Sequence, residues 1–192
     1  HFCVPLFCML LLAGCAQLPG GYRLYQEQSS PWVIEQNNTR LQNVSALIQT
    51  GKGSAAKIEA DLIKPSELTP PQLAQYNLLS AQILLSFGEA EQAIKNLAVT
   101  ESGQLGISDK IKFFQSQAFA YSLTGNLLEH AKARISLDAF LTKPDERKKN
   151  QAIIMETLGL LPDSIAQNQQ NLTPDLPDLP EWLSIAKTLA LR

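Results

Sequence analysis

Three glycines recur at a fixed interval along the middle of this 192-residue chain. Gly51, Gly88 and Gly125 are 37 residues apart, and each follows a stretch whose apolar residues have helical spacing. A glycine ends a helix without steric cost because it adopts the left-handed backbone conformation that other residues avoid. The interval therefore predicts three helical hairpins, each with a glycine at its turn, and repeated helical pairs of this kind are typical of solenoids.

Small and apolar residues flank each glycine at matching distances. Val44, Ala81 and Ala118 lie seven residues before the glycines, Leu47, Leu84 and Tyr121 lie four before, and Ala56, Ala93 and Ala131 lie five or six after. Small residues on both sides of a turn let two helices approach closely and interlock their side chains. Each pair then buries only one face, so the pairs must stack to complete a core.

Apolar spacing indicates which helix faces are buried. On the first helices of the second and third pairs the stripes are Tyr76, Leu79, Ile83 and Phe87, then Ile111, Phe114, Ala118 and Tyr121. On the second helices they are Ala56, Ile58 and Leu62, then Ala93, Ile94 and Leu97, then Ala131, Ile135 and Leu137. Strand signals are weak, and the lack of sustained heptads disfavours a coiled coil. We predict an all-α fold, a right-handed α-solenoid of tetratricopeptide-like helical hairpins whose period exceeds the usual 34 residues or so.

The boundaries of the helical region follow from capping residues and prolines. We expect it to begin with Ser30 as N-cap and Pro31 at the first helical position. A fourth unit should open near Asp145, run from Glu146 to about Leu161 and stop at Pro162. After Pro162, the sequence predicts a short successor capped by Asp163 or Ser164, then a polar loop, and a last helix with Trp182, Ile185 and Leu189 on one stripe. Trp32 and Trp182 are expected to pack in the core at the two ends, with partner contact as the alternative.

The segment Leu12-Ala13-Gly14-Cys15 closes an uncharged apolar run that has the length of a signal-peptide core. It resembles the lipobox of bacterial lipoproteins, which implies cleavage before Cys15 and lipid attachment to that residue; an ordinary signal peptide with a chance cysteine is the alternative. Because the sequence starts at His1, we expect this signal peptide to be N-terminally incomplete. Ala16 and Gln17 stand where inner-membrane lipoproteins usually carry aspartate, so the same resemblance favours the outer membrane.

Composition and motifs argue against nucleic-acid binding, metal binding and catalysis. The net charge is −2 and the one basic block, Arg147 to Lys149, reads as a solvated helix start. The processed chain would keep Cys15 alone, which excludes disulfides and paired-cysteine metal sites. His130 is its one histidine and lies near no nucleophile-elbow motif, so we interpret it as a partly exposed helix residue. The expectation is no enzyme, no cofactor and no metal.

Two weaker motifs have ordinary structural explanations. The segment Gly51-Lys52-Gly53-Ser54 lacks both the preceding strand and the first glycine of a phosphate loop, since position 46 is alanine. It is better explained as the first repeat turn. The carboxylates Glu89, Glu91, Asp145 and Glu146 lie near predicted helix starts. There they complement the helix dipole, and nothing in the sequence pairs them across a cleft as in a glycosidase.

The order of these segments resembles the N-terminal domain of the LpoA (LppC) family of outer-membrane lipoproteins. The likeness is carried by the lipobox with its tether, by the core from Leu78 through Gly88 to Ala93, and by two C-terminal stretches. These are Lys143-Pro144-Asp145-Glu146-Arg147-Lys148-Lys149-Asn150-Gln151-Ala152-Ile153 and Leu179-Pro180-Glu181-Trp182-Leu183-Ser184-Ile185-Ala186. One departure is Ile154, where the family often has tryptophan.

The resemblance implies a regulator of peptidoglycan synthesis without catalytic residues, anchored in the outer membrane. Such a regulator activates a class A penicillin-binding protein, with peptidoglycan as a further partner. The resemblance divides the chain into a signal peptide (residues 1–14), a lipidated tether (15–30) and a helical domain (31–192). These segments correspond to the anchor and spacer part of the family. The family's C-terminal domain, which resembles periplasmic binding proteins, is expected to be absent. The alternatives are a tetratricopeptide-like scaffold of an outer-membrane assembly complex and, from another class, a cell-wall lytic enzyme.

Overall fold

A computed structural model describes the backbone of residues 30–168 and the side chains of residues 30–160. Seven α-helices follow one another within residues 30–168: α1 (Pro31–Gln49), α2 (Gly53–Asp61), α3 (Pro70–Ser86), α4 (Ala90–Ala98), α5 (Ile107–Leu123), α6 (Leu127–Asp138) and α7 (Pro144–Asn168). Short 3-10 turns at Pro65–Glu67 and Ser102–Gln104 precede α3 and α5. Within this described range there are no strands, so the all-α prediction is confirmed.

The three turn glycines all have a left-handed backbone, with φ of +72° at Gly51, +79° at Gly88 and +71° at Gly125. After each glycine, the next residue donates its backbone N–H back to the carbonyl four residues before the glycine. These bonds join Lys52 to Leu47 at 2.9 Å, Glu89 to Leu84 at 3.0 Å and Asn126 to Tyr121 at 3.0 Å. This is the bond of a Schellman ending, and it confirms the prediction of glycine-terminated hairpins.

The hairpins α1–α2, α3–α4 and α5–α6 stack in chain order. Each second helix contacts the first helix of the following unit, and consecutive first helices also make contact, α1 with α3 and α3 with α5. The alanines after the turns, Ala56, Ala93 and Ala131, are completely buried. Their small size brings the paired helices close, as the spacing predicted. The right-handed sense of the solenoid stays a prediction.

Gln72, buried in the first turn of α3, joins the first two hairpins. Its Oε1 accepts the backbone N–H of Thr69 at 3.1 Å. Its Nε2 donates to the carbonyl of Ile34 at 2.9 Å and to Oδ1 of Asn38 at 2.7 Å. A buried amide with all of these partners fixes the register of α3 against α1, because any slip would leave it unsatisfied.

Polar contacts also hold α7 against α6. The amide of Asn150, which is 3% exposed, donates to the carbonyl of Arg134 at 2.9 Å and to Oδ1 of Asp138 at 3.2 Å. Gln151 donates to the other oxygen of Asp138 at 3.3 Å. Burial lowers the pKa of the Arg134 guanidinium. Ile154, four residues after Asn150 in α7, is fully buried as well.

The predicted stripe of the second helix was wrong in the first hairpin. Ile58 and Leu62 are 67% and 57% exposed, whereas Ala56, Ala60 and Ile63 are buried. At about 100° per residue, Ile58 lies far around the helix from Ala56, whereas residues 60 and 63 return to the same face. The buried stripe in the second half of the first hairpin therefore consists of Ala56, Ala60 and Ile63.

The structure corrects the expectations for His130 and Trp32. His130 is buried, not partly exposed, and its Nδ1 lies 2.8 Å from the carbonyl oxygen of Ala118. It therefore joins α5 to α6 as a satisfied core histidine. Trp32 is 68% exposed, because it lies on the outer side of the first helix, so its predicted core role was wrong. Helix α1 does begin at Pro31, but the Ser30 side chain makes no capping bond.

Pro162 does not end the fourth unit. The backbone remains helical from Pro144 to Asn168, so the predicted stop and the short successor capped by Asp163 or Ser164 were wrong. A proline inside a helix removes one backbone hydrogen bond, but its own φ of about −65° is helical. A helix can therefore continue through it. The predicted last helix and Trp182 lie outside the described residues.

Candidate functional site

An open groove crosses the first helices of the three hairpins and encloses about 350 Å³. All of its lining residues lie on α1, α3 or α5: Ile48, Gln82, Leu85, Ser86, Lys112, Gln115, Ser116 and Phe119. The stacking of the first helices creates it, because residues at the C-terminal ends of α1 and α3 and in the middle of α5 face the same side. Its volume is at the lower end of the range for ligand pockets.

The groove is lined by apolar and polar side chains together. Ile48 and Leu85 are half-buried, and Phe119 is 50% exposed. Beside these side chains, Nε2 of the half-buried Gln82 donates to Oγ of Ser116, which is 6% exposed, at 3.4 Å, a distance near the limit for a hydrogen bond. A ligand could replace so weak a contact at little cost. The groove thus combines apolar side chains with amide and hydroxyl groups, and this combination suits the binding of an extended peptide segment.

A close helix contact shapes one end of the groove. Gly53 opens α2 beside Ser86, and a Cβ at this position would lie 2.6 Å from the Ser86 hydroxyl oxygen. The glycine therefore permits the approach of α2 to the end of α3. The segment from Gly51 to Ser54 is a turn and helix start, as the sequence predicted.

Lys112 is the one charged residue of the groove lining. Its Nζ lies 3.1 Å from Oδ1 of Asp109 on the same helix, and both side chains are partly exposed. Such a pair contributes little to stability, so the ammonium could also be shared with a carboxylate from a partner. The groove is otherwise neutral, which favours uncharged or weakly acidic segments.

The carboxylates that the sequence singled out lie apart from the groove. Glu89 and Glu91 are exposed at the start of α4, and Asp145 and Glu146 are exposed at the start of α7. Glu146 pairs with Lys143 at 2.9 Å. The positions agree with the prediction that these groups complement helix dipoles. Arg147, Lys148 and Lys149 are exposed in the first turns of α7, also as predicted.

Cys15, the predicted lipid-attachment residue, lies outside the described residues. In the described part of the chain, no group of three or more histidine, cysteine, aspartate or glutamate side chains is arranged to hold a metal. The helices of that part are also too short or too polar to span a bilayer.

Sequence reasoning had not singled out the groove. The signal was present in the repeat register: Ile48 and Leu85 lie three residues before their glycines, and Gln82 and Phe119 lie six before. Positions that are equivalent in stacked hairpins face the same side. Reading each register position across all repeats would have brought these residues together.

The family model described as "LppC putative lipoprotein" matches residues 22–191 of the chain. Two curated relatives are both named penicillin-binding protein activator LpoA. The protein from Mannheimia succiniciproducens is 25% identical over 162 residues, which cover 77% of this chain and 28% of the relative. The protein from Glaesserella parasuis serovar 5 is 26% identical over 182 residues, which cover 85% and 31%. The chain thus spans about three tenths of the length of these relatives.

Solved structures of LpoA from Haemophilus influenzae share the fold. The N-terminal domain matches with a TM-score of 0.52 and 23% identity, over 82% of this chain and 72% of that one. A longer LpoA structure from the same organism gives the same score and identity, over 82% of this chain and 28% of that one. The helical hairpins described above are therefore an arrangement that also occurs in these proteins.

Proposed function

We propose, from the premise that this chain belongs to the LppC putative lipoprotein family, that it is part of a non-enzymatic regulator that activates a class A penicillin-binding protein. The observation that carries the proposal is the family match over residues 22–191, supported by relatives that are named as activators of penicillin-binding proteins. In this proposal the stacked hairpins form a helical spacer. Each hairpin contacts only its neighbours, so every added hairpin makes the helical domain longer.

We also propose that Cys15 carries the lipid that anchors the protein in the outer membrane, facing the periplasm. The tetrapeptide Leu12 to Cys15 supports this, as does the family description as a lipoprotein. Several acyl chains, at about 0.8 kcal/mol per buried methylene, make a durable anchor. Mass spectrometry of the N-terminal peptide from the native bacterium should find acyl groups on Cys15. An unmodified thiol there would remove the anchor from the proposal.

The activator proposal is tested with the protein made from its complete reading frame. That protein should bind a purified class A penicillin-binding protein and raise the fraction of cross-linked peptides that it produces. If binding and cross-linking are both unchanged, the activator function is wrong.

The groove is the surface of the helical domain that we expect to receive an extended segment of the partner. Replacing Phe119 with glutamate puts a charge among the apolar side chains that line the groove, and we expect partner binding to weaken at least about tenfold. Val99→Glu is the matched control, because Val99 is 68% exposed at the end of α4 and lies outside the groove. Affinities measured by biolayer interferometry should separate the two variants. Equal affinities would exclude the groove as the contact surface without affecting the activator function.

A scaffold of an outer-membrane assembly complex is the second candidate function. The observation that favours it is again the groove, since an open groove with both apolar and amide side chains in its lining also suits extended client segments. A deletion strain distinguishes the two. The activator function predicts fewer peptidoglycan cross-links with normal amounts of outer-membrane proteins. The scaffold function predicts a normal number of cross-links with smaller amounts of outer-membrane proteins.

A further inference from the structure

The fourth unit of the repeat has a proline where the period places a turn glycine. Residues 51, 88 and 125 are glycines with positive φ, and the next position at the same interval of 37 is Pro162. The proline ring fixes φ near −65°, so Pro162 cannot form the left-handed turn that ends α1, α3 and α5. Helix α7 accordingly continues to Asn168. The second helix of this unit therefore cannot follow directly, as it does in the three earlier hairpins.

Without a second helix, one face of α7 has no partner in the described part of the chain. In α3, the residues 14, 10 and 7 before the glycine are Ala74, Leu78 and Ala81, and all are buried in the core that includes α4. The equivalent positions of α7, counted back from Pro162, are Lys148, Ala152 and Met155. All three are exposed, and Met155 is 43% exposed. We call Ala152, Met155, Leu158 and Gly159 the open face of α7.

The opposite side of α7 is already occupied, so the helix cannot rotate to bury the open face. Asn150, Ile154 and Thr157 are buried on the α6 side. Ile154 and Met155 are about 100° apart around the helix. Turning Met155 inward would expose Ile154 and break the hydrogen bonds of Asn150 to Arg134 and Asp138. Another segment is therefore needed to cover the open face.

We infer that residues 180–191 of this chain pack against the open face of α7 and complete a fourth hairpin. The segment has twelve residues, and the second helices α2, α4 and α6 have nine, nine and twelve. Its sequence places Trp182, Ile185 and Leu189 on one helical stripe. Ala152 and Gly159 on either side of Met155 leave room for a helix bearing such large residues, and a methionine fills irregular gaps.

The connecting chain is long enough for this arrangement. Met155 lies 13 residues before the end of α7, which corresponds to about 20 Å along the helix axis. Residues 169–179 form an eleven-residue connection that can span up to about 36 Å when extended. It can thus return from Asn168 to the level of Met155. This packing does not depend on the proposed function.

Disulfide trapping in the full chain tests the inference, with the three native cysteines replaced by serine. Met155→Cys is combined in turn with W182C, I185C and L189C, since a disulfide requires Cα atoms within about 7 Å. At least one pair should form an intramolecular disulfide under mild oxidation. Val99→Cys with the same three partners is the control, because Val99 is also exposed but lies at the end of α4.

Three outcomes would overturn the inference. The first is that the cysteine introduced at position 155 forms no intramolecular disulfide with any of the three partners, and the second is that the cysteine introduced at position 99 forms disulfides with them as readily. The third is that disulfide-linked dimers are the main product, which would assign the open face to a second copy. A second measurement uses Trp32→Phe, which leaves Trp182 as the single tryptophan, with excitation at a wavelength that tyrosine does not absorb. Its emission should be blue-shifted relative to the denatured chain, and Met155→Glu should abolish most of that shift. An emission already at the denatured wavelength would contradict the packing independently of cross-linking.

Discussion

Replacing Leu78 with alanine should lower the free energy of unfolding by about 2–5 kcal/mol. Leu78 is 1% exposed in α3 and belongs to the core that joins α3 to α4 and α5, together with Leu97 and Phe113. The substitution removes buried methyl groups, and the surrounding helices cannot collapse fully into the space because the neighbouring hairpins hold them. Urea denaturation followed by circular dichroism measures the loss.

Leu73→Ala is the matched control, because it makes the same chemical change in the same helix at a side chain that is 37% exposed. We expect it to cost about 0.5 kcal/mol or less, as most surface substitutions do. Equal losses for the two variants would contradict the assignment of Leu78 to the core. A fall in the denaturant slope with Leu78→Ala would show that the repeats no longer unfold together.

Replacing Gly88 with valine should cost about 2 kcal/mol, although its added side chain meets no other atom. No heavy atom lies within 4 Å of a Cβ at this position, so the cost comes from the backbone. At a φ of +79° an L-residue is destabilised by about 1–2 kcal/mol, and a β-branched residue by more. The same urea titration measures this loss.

Two further glycine variants separate backbone strain from loss of the glycine itself. Gly103→Val introduces the same side chain, also with no atom within 4 Å, at a glycine without a positive φ. It should therefore cost much less. Gly88→Asn should recover a large part of the stability, because asparagine tolerates the left-handed conformation. If valine costs the same at positions 88 and 103, the left-handed turn is not the source of the loss.

The hairpin turns show how far the sequence could be interpreted without coordinates. A glycine at the end of an apolar helix has few alternatives, since the left-handed conformation is open to it and closed to most residues. Small apolar residues on both sides of the turn then define where two helices cross. These are local constraints, and all three hairpins formed as predicted. Family membership followed in the same way, because the order of segments along the chain is itself sequence information.

The predicted stop at Pro162 was a wrong local prediction, whereas the wrong predictions for His130, Ile58 and Leu62 concern which neighbour a residue has. His130 is buried because the carbonyl of Ala118, twelve residues away on another helix, is positioned to meet it. Ile58 and Leu62 are exposed because the stacking of α2 uses the face of Ala56 and Ala60. Apolar character alone could not distinguish these faces, since the choice depends on which side the next hairpin contacts.

The sequence by itself determined the helices, their glycine turns and the close crossings, because these depend on backbone preferences and side-chain size within one hairpin. Only the tertiary structure decided the groove around Phe119, the polar docking of α7 through Asn150 and the open face around Met155. Each of these arises from the stacking of separate hairpins, where the partner of a residue lies far away in the chain. The sequence pattern around a residue does not indicate where that distant partner will lie.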